Sequence, residues 1–368
     1  MTLSELNRRR WRSFKSNRRA FWSAIIFPIL FVISLFAEYV ANDKPIIVSY
    51  QGEWYFPINN FYPETTFGGD LPIEAVYKEP EVQCLIVSGG SEACWDEDPA
   101  TYIAAVKDGS AGVAKDEQGW MIWPVIPYHY NTINNVGTAP SAPDADHWLG
   151  TDATSRDVTA RLIYGFRTSI LFTLIVTSLA SVIGVAMGAI QGYFGGRTDI
   201  VLQRLMEIWQ NTPVLYVIII MSAIFGRSFW LLILVMILFG WPALVGVVRA
   251  EFLRARNFEY VRAARALGVR DRTIMFRHIL PNAMVATLTM LPFIVTGTIG
   301  LLASLDFLGY GLPPGAPSLG QLALVAKQNL NAPWLAFTAF FTFAIMLSLL
   351  VFIFEGIRDA FDPRKTFK

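Results

Sequence analysis

The stretch from Arg249 to Pro281 reads R-A-E-F-L-R-A-R-N-F-E-Y-V-R-A-A-R-A-L-G-V-R-D-R-T-I-M-F-R-H-I-L-P and lies between two long apolar runs. Asn257 is a candidate N-cap for one helix, and Gly268 occupies a position where a helix end favours a positive φ. A second short helix is predicted to begin at the cap Asp271 and to end before Pro281, which disrupts helices. The sequence therefore predicts a helix, a glycine turn and a second helix.

This predicted pair of helices is strongly basic, and it carries Arg254, Arg256, Arg262, Arg265, Arg270, Arg272 and Arg277. The small residues Ala263, Ala264 and Gly268 are predicted to leave the surface beside the arginines nearly bare. Such a projecting helix could enter a groove on a partner protein, because its small side chains allow close approach. The alternative interpretation is a basic cytoplasmic loop that only fixes the orientation of the membrane spans.

The same stretch resembles the E-A-A loop of bacterial ABC importer permeases, in which E-A-A is followed by three residues, Gly, nine residues and I-x-L-P. The residues that match at this spacing are Ala263, Ala264, Gly268, Leu280 and Pro281. Arg262 replaces the Glu of the pattern and His278 replaces its Ile. The resemblance implies that the loop couples the chain to an ATPase through Arg262, Ala263, Ala264, Gly268, Asp271, Leu280 and Pro281.

Two further segments resemble the dipeptide and oligopeptide branch of these permeases. H-W-L-G-T-D at 147–152 leads into the apolar run after Arg167, and E-G-I-R-D-A-F-D-P-R closes the chain at 355–364. Asp152 and Asp157 are predicted to cap and pair rather than to bind a metal. The resemblance implies an all-α polytopic membrane protein with the six transmembrane helices of the ABC type I importer permease fold.

Composition and charge agree with a polytopic membrane protein, since more than half of the residues are apolar and the net charge is close to zero. The arginine-rich stretch Met1–Arg19 precedes an apolar run at Phe21–Ala37, which predicts an uncleaved first span with its N-terminus in the cytoplasm. The other predicted spans are Thr168–Tyr193, Pro213–Phe225, Phe229–Val248, Asn282–Leu305 and Trp334–Phe354. Six spans and the basic residues at both ends predict that both termini lie in the cytoplasm. The resemblance implies that the membrane is the inner membrane of a bacterium.

The composition divides the chain into three parts: 1–40 with the first span, 41–150, and a transmembrane domain at 151–368 that contains the coupling loop 250–281. The middle part is rich in carboxylates and has no arginine, which predicts a periplasmic insertion of mixed β and loop structure. It is interpreted as a docking surface for a solute-binding protein, a lip over the pore, or decoration. Within it, Cys84 and Cys94 could form a disulfide or remain separate thiols.

Small residues recur every fourth position in the second predicted span, at Ala180, Gly184, Gly188 and Gly192. This spacing allows two helices to approach closely, and the predicted contact is with another helix of the bundle. The alternative is that the small residues line an open pore.

Candidate residues of the substrate pathway are Asp306, Phe307 and Glu207. Asp306 is hypothesised to attract cationic peptides, whereas Glu207 is more simply explained by a helical ion pair with Arg204. No catalytic residue and no metal site is predicted, because the three histidines have no ligand spacing with the cysteines.

No phosphate-binding G-x-x-x-x-G-K-[ST] motif occurs in the chain, so ATP and Mg²⁺ are expected on partner subunits. The resemblance implies a second, different permease, two ATP-binding domains that are separate or fused, a periplasmic peptide-binding protein and a lipid bilayer, with no nucleic acid. It also implies uptake of oligopeptides by alternating access, including peptide antibiotics such as microcin C. The alternatives are another solute such as nickel or a glycopeptide, a passive channel, and an intramembrane enzyme, for which the spans offer no constellation.

Overall fold

A computed structural model describes residues 5–361 of the protein. Its helices are α1 Glu5–Ser16, α2 Arg18–Leu35, α3 Ala37–Val40, α4 Pro80–Ser88, α5 Ala93–Asp96, α6 Pro99–Asp108, α7 Val158–Phe194, α8 Gly196–Gln210, α9 Val214–Phe225, α10 Phe229–Gly240, α11 Pro242–Ala255, α12 Glu259–Ala266, α13 Asp271–Thr273, α14 Leu280–Phe307, α15 Leu319–Gln328 and α16 Pro333–Phe361. The strands are β1 Ile47–Tyr50, β2 Glu53–Tyr55 and β3 Trp120–Ile122. The last residues of the closing signature, Asp362 to Arg364, lie outside the described residues.

Five helical segments of the described chain are long and apolar enough to cross a membrane: Arg18–Leu35, Val158–Phe194, Phe229–Ala255, Asp271–Phe307 and Pro333–Phe361. A sixth span results if α8 and α9, which are bent by 66° at the break between them, cross the membrane together. The structure therefore has five to six apolar helical spans, and the predicted six depend on this bent pair.

The described residues form two compact units. Of the described residues, one unit contains 5–32 and 165–361, and the other contains 33–164. Helix α7 contributes its first seven residues to the second unit and the rest to the first.

In the first unit, the small-residue face of α7 packs closely against α11. A Cβ atom added at Gly188 would lie 2.8 Å from the backbone oxygen of Val245, and one added at Gly192 would lie 2.5 Å from that of Arg249. Gly184 approaches the backbone of Trp241 in the same way. These glycines therefore form a helix contact rather than a pore lining, because no larger side chain fits between the two backbones.

The same unit has two further apolar clusters. One joins α7, α9, α10 and α14 through Phe172, Val176, Ile218, Leu232, Met236 and Leu302. The other joins α7, α14 and α16 through Phe166, Ile170, Val295, Ile299, Met346 and Leu350. Both clusters include α14, which begins at Leu280 near the end of the Arg249–Pro281 stretch.

The second unit contains a three-stranded antiparallel sheet in the order β2-β1-β3. Its core is aromatic and buries Val48, Tyr50, Phe67, Tyr77, Val82 and Ile86. Cys84 of α4 and Cys94 of α5 are joined by a disulfide.

The mixed β and loop prediction missed two helices of this unit, α4 and α6. Both have Pro at the first turn and a left-handed glycine at the C-terminus, and Asp98 caps α6 by accepting from the N–H of Thr101. These helices have only 9 and 10 residues, and α6 buries only Val106, so a long apolar periodicity is missing. The proline that begins each helix and the glycine that follows it were the sequence features from which the two helices could have been predicted.

The segment before α7 is fixed by buried polar contacts of two aspartates within the second unit. Asp152 accepts from the Nη1 of Arg161 at 2.9 Å, and Asp157 Oδ2 lies 2.8 Å from the Nδ1 of His147. Asp157 Oδ1 also accepts from the N–H of Ala160 in the first turn of α7. The two aspartates thus cap and pair, as the sequence predicts.

Candidate functional site

Helix α12 has one buried face and one exposed face. Val261 is fully buried and Ala264 is 9% exposed, whereas Leu267, directly after the helix, is 83% exposed. Arg262 and Ala263 are also exposed. The predicted bare surface is therefore corrected at Ala264, which faces the interior of this chain while its neighbour Ala263 faces outward.

The buried face of α12 belongs to an apolar cluster that joins α7, α11, α12, the π-helical segment Ile274–Ile279 and α14. The cluster includes Ala189, Tyr193, Val248, Phe252, Ala255, Val261, Ala264, Ile274, Met275, Ile279 and Ala283. Leu280 is partly buried against it. Because side chains in such a core interdigitate at high density, α12 is held rigidly on the cytoplasmic ends predicted for these helices.

Gly268 ends α12 in the way that the sequence predicts. Its φ is +74°, its N–H donates to the oxygen of Arg265 at 3.0 Å, and the N–H of Val269 donates to the oxygen of Ala264 at 3.1 Å. This pair of hydrogen bonds is a Schellman motif, in which a non-glycine residue would be strained. The turn presents Leu267 at its outer edge.

Tyr193 fastens α7 to the stretch that follows α12. Its hydroxyl donates to the carboxylate of Asp271, and the guanidinium carbon of Arg265 lies 5.3 Å from the centre of its ring. The Nη1 of Arg256 reaches the backbone oxygen of Tyr193 at 3.5 Å. Tyr193 was not predicted from the sequence, because nothing in its own segment indicates contacts with residues more than 60 positions away.

A bidentate ion pair connects α8 to α11. The Nε and Nη2 atoms of Arg249 each donate to one carboxylate oxygen of Asp199, both at 2.6 Å. The planar guanidinium matches a carboxylate in this geometry. The first residue of the basic stretch is thereby tied to the bent pair α8–α9.

Three predicted helix boundaries in this stretch are corrected. Asn257 does not cap α12: its side chain donates to the oxygen of Leu253, and Phe258 precedes the helix. Asp271 is the first residue of α13, with its carboxylate on Tyr193. Pro281 does not end the second helix, because a π-helical segment at Ile274–Ile279 leads directly into α14 with Pro281 in the first turn. A proline is tolerated inside this continuous helix because local π-helical turns can satisfy the backbone groups that its missing N–H leaves free.

Asp306 lies near the end of α14 and has no exposed surface. Its Oδ1 accepts from the N–H of Leu312 at 2.7 Å, and its Oδ2 accepts from the hydroxyl of Ser318 at 2.6 Å. The hypothesis that Asp306 attracts cationic peptides is therefore corrected, since a buried carboxylate with both oxygens engaged offers nothing to a passing solute. Asp306 instead stabilises the segment between α14 and α15 through these two hydrogen bonds.

The other two candidates for the substrate pathway lie elsewhere. Phe307 is half-buried and carries the Nζ of Lys327 4.4 Å above its ring centre. Glu207 is exposed on α8 and pairs with the Nη1 of Arg204 at 2.6 Å. The structure does not bring Glu207 together with Asp306 or Phe307 through any hydrogen bond, ion pair or ring contact that it describes.

No group of three or more His, Cys, Asp or Glu side chains in the described part of the chain could hold a metal ion. The three histidines lie in separate places: His147 pairs with Asp157, His129 contacts the tilted ring of Tyr130 with ring centres 4.2 Å apart, and His278 lies in the π-helical segment.

Comparisons with known proteins agree with this architecture. Residues 180–367 match the family described as "Binding-protein-dependent transport system inner membrane component", and residues 6–60 match the "N-terminal TM domain of oligopeptide transport permease C". The first match covers more than half of the chain and includes the whole Arg249–Pro281 stretch.

Three curated proteins are similar to this chain. The "Peptidoglycan transport system permease protein YejE" of Agrobacterium fabrum is 52% identical, with 99% of this chain and 95% of that protein covered. The "Inner membrane ABC transporter permease protein YejE" of Escherichia coli is 49% identical, with 99% and 98% covered. The "Oligopeptide transport system permease protein OppC" of Bacillus subtilis is 35% identical, with 64% and 78% covered.

These relatives are transport subunits, and ATP hydrolysis in such transporters belongs to separate ATPase subunits. Full-length identity near one half, together with the family match and the multi-span helical fold, places the chain among inner membrane proteins. The chain therefore belongs to the family of inner membrane components of binding-protein-dependent transport systems, as a permease subunit of an ABC importer and not an enzyme.

Proposed function

We propose that this chain is one of two different permeases in an importer of short peptides, and that the exposed end of α12 receives the motion of the ATPase subunits. The observation that carries this proposal is Leu267, which stands 83% exposed at the tip of a helix whose other face is anchored in the chain. An exposed leucine on a rigid element suits insertion into an apolar groove of a partner.

The anchoring contacts define how the motion would reach the spans. When ATP binding closes the ATPase subunits, the groove moves and carries α12 with it as a rigid body. The packing of Val261 and Ala264 passes the motion to α11 and α14, and the hydrogen bond between Tyr193 and Asp271 passes it to α7. Helices α7, α11, α12 and α14 then shift together, and this shift opens the substrate pathway alternately to the two sides of the membrane.

The arrangement in the membrane is part of the proposal. Six spans, with α8 and α9 as one broken span, would put both termini in the cytoplasm. The Arg249–Pro281 stretch, called the α12 loop below, would lie on the same side. Residues 33–164 would then lie in the periplasm, where a solute-binding protein delivers cargo. The ATP and Mg²⁺ would be held by two ATP-binding domains on one fused chain or on two separate ones.

The proposed cargo is an oligopeptide, which is what the name of the Bacillus subtilis relative and the match at residues 6–60 indicate. A second candidate is a peptide derived from peptidoglycan, which is favoured by the name of the 52% identical relative. Uptake of microcin C stays a prediction.

The test is Leu267→Glu in the reconstituted importer with its ATPases and binding protein. A charge at this position cannot enter an apolar groove, so we expect about tenfold less peptide uptake and loss of the co-purified ATPases. The control is Leu330→Glu, because Leu330 is 82% exposed in the loop before α16 and has the same side chain. Supplying trialanine and a peptidoglycan tripeptide fragment in parallel identifies the cargo.

Normal co-purification and uptake in the Leu267→Glu variant would contradict the coupling role. An equal loss of ATPases in the Leu330→Glu variant would show that the effect follows from any added surface charge. If ATP hydrolysis accelerates with neither peptide, the proposed cargo is wrong while the coupling role stands.

A further inference from the structure

The unit formed by residues 33–164 contains a cleft of about 770 Å³ that the coupling mechanism does not use. Clefts that bind small molecules in proteins have about this volume, roughly 300–1,000 Å³. The cleft is lined by residues of the loops around β1, α4 and α7, and its charged side chains are Asp43, Lys44, Glu74, Lys78, Asp144 and Asp146. Both signs of charge therefore face one cavity.

Most of these charges are already engaged within the protein. Lys44 forms an ion pair with Glu74, and Asp43 Oδ2 accepts from the hydroxyl of Thr132 at 2.7 Å. Asp144 Oδ1 accepts from the backbone N–H groups of Asp146 and His147, at 3.0 and 2.5 Å. These contacts keep the walls of the cleft in place without a ligand.

Lys78 differs from the other charged residues of the cleft. Its Nζ lies 3.6 Å from the ring centre of Tyr128, and the described residues provide it with this cation–π contact but with no ion pair or hydrogen bond. An ammonium group has three donors, and because Lys78 lines the cleft, an acceptor that enters the cleft can reach them. Burial lowers the pKa of Lys78 to about 8, although the nearby carboxylates of Asp43 and Asp157 oppose this shift.

We propose that this cleft binds a free short peptide, with the α-carboxylate of the peptide held by the ammonium of Lys78. A carboxylate accepts hydrogen bonds from an ammonium group, and charge-assisted hydrogen bonds of this type are among the stronger ones in proteins. The carboxylate of Asp146, at the exposed edge of the cleft, suits the ammonium end of the same peptide. An inorganic anion fits less well, because it has no ammonium end to face the four carboxylates that line the cavity.

This site deepens the proposed function, and it rests on the proposal that peptides are the cargo. It would lie outside the spans, in the unit that follows the first membrane helix. A peptide released by a binding protein would thus be retained by the permease before it enters the membrane pathway.

The experiment uses the full-length chain in lipid nanodiscs, without ATPases and without binding protein, and measures binding of trialanine and trialanine amide by calorimetry at about pH 7. The amide lacks the carboxylate, so we expect it to bind about tenfold more weakly. Lys78→Met should reduce trialanine affinity to that of the amide, and Lys78→Arg should preserve the difference. The matched control is Lys107→Met, since Lys107 is an exposed lysine of the same unit outside the cleft.

Repeating the measurement at about pH 9.5 adds a second readout, because the ammonium of Lys78 loses its proton as the pH rises through about 8. Trialanine affinity should fall in the wild type and fall less in the Lys78→Arg variant, since arginine keeps its charge there and only the peptide amine titrates. The charged and titratable groups around Lys78 in this comparison are Asp43, Lys44, Glu74, Tyr128, Asp144, Asp146, His147 and Asp157.

Equal binding of the acid and the amide, or unchanged trialanine binding in the Lys78→Met variant, would overturn the site. So would an equal loss in the Lys107→Met variant. The Lys78→Arg variant separates loss of a carboxylate contact from loss of folding. The assay contains no ATPase, so a failure of peptide import with binding intact would reject the proposed function and not this site.

Discussion

At the scale of single residues, the structure changes the meaning of Asp306. A carboxylate near the outer end of a span suggests a contact for cationic solutes, but both of its oxygens accept hydrogen bonds from Leu312 and Ser318 inside the protein. A sequence reveals the charge of a side chain and the distance along the chain to its neighbours. It does not reveal that the backbone N–H of Leu312, six residues later, donates to the carboxylate of Asp306.

Replacing Asp306 with Leu should therefore weaken uptake of all peptides equally. The change removes both acceptors and leaves the N–H of Leu312 and the hydroxyl of Ser318 buried without partners, at about 1–3 kcal/mol each. The measurement is the ratio of trilysine to trialanine uptake in reconstituted vesicles, compared with the wild type. A selective loss of trilysine uptake would instead support the hypothesis that Asp306 recognises cationic peptides.

At the scale of elements, the packing of α7 on α11 sets how close two spans can come. We predict that Gly188→Leu destabilises the chain, because its Cβ alone would lie 2.8 Å from both the oxygen of Val245 and the Cβ of Val248. Overpacking of this kind costs about 1–3 kcal/mol or more. The measurement is the temperature at which the purified chain loses its monodisperse elution.

The control for this change is Gly246→Leu, since an added Cβ at Gly246 on α11 meets no atom within 4 Å. It should leave the temperature close to that of the wild type, apart from a small gain from better helix propensity. If the two variants behave alike, the close approach of α7 and α11 is not what limits stability.

Some features of these elements could be predicted from the sequence, and others could not. The turn at Gly268 was predictable, because a glycine directly after a helical run has a local conformational reason. Ala263 and Ala264 are chemically identical, and Ala264 is the buried one because it lies three positions after the buried Val261, on the same face of α12. The exposed Leu267 was missed because a leucine is ordinarily expected inside, and its position before the glycine was the available signal.

At the scale of the whole molecule, the distribution of arginine predicts on which side of the membrane each part lies. No arginine occurs between Arg19 and Arg156, whereas the α12 loop is rich in it. Because arginine and lysine are retained on the cytoplasmic side, residues 33–164 should face the periplasm and the junction of α7 with α8 should face the cytoplasm. Arg227, between α9 and α10, should lie outside if the bent pair α8–α9 crosses the membrane.

Single added cysteines can check this arrangement, since the two natural cysteines are joined in a disulfide and leave no free thiol. Lys107→Cys and Arg227→Cys should react with a membrane-impermeant maleimide in intact spheroplasts, and Arg197→Cys should react only after lysis. All three positions are exposed, so differences in labelling report sidedness rather than burial. Labelling of Arg227→Cys only after lysis would make α8–α9 a re-entrant loop and leave five spans. The α12 loop would then lie in the periplasm, out of reach of an ATPase, and the coupling role of Leu267 would fail with it.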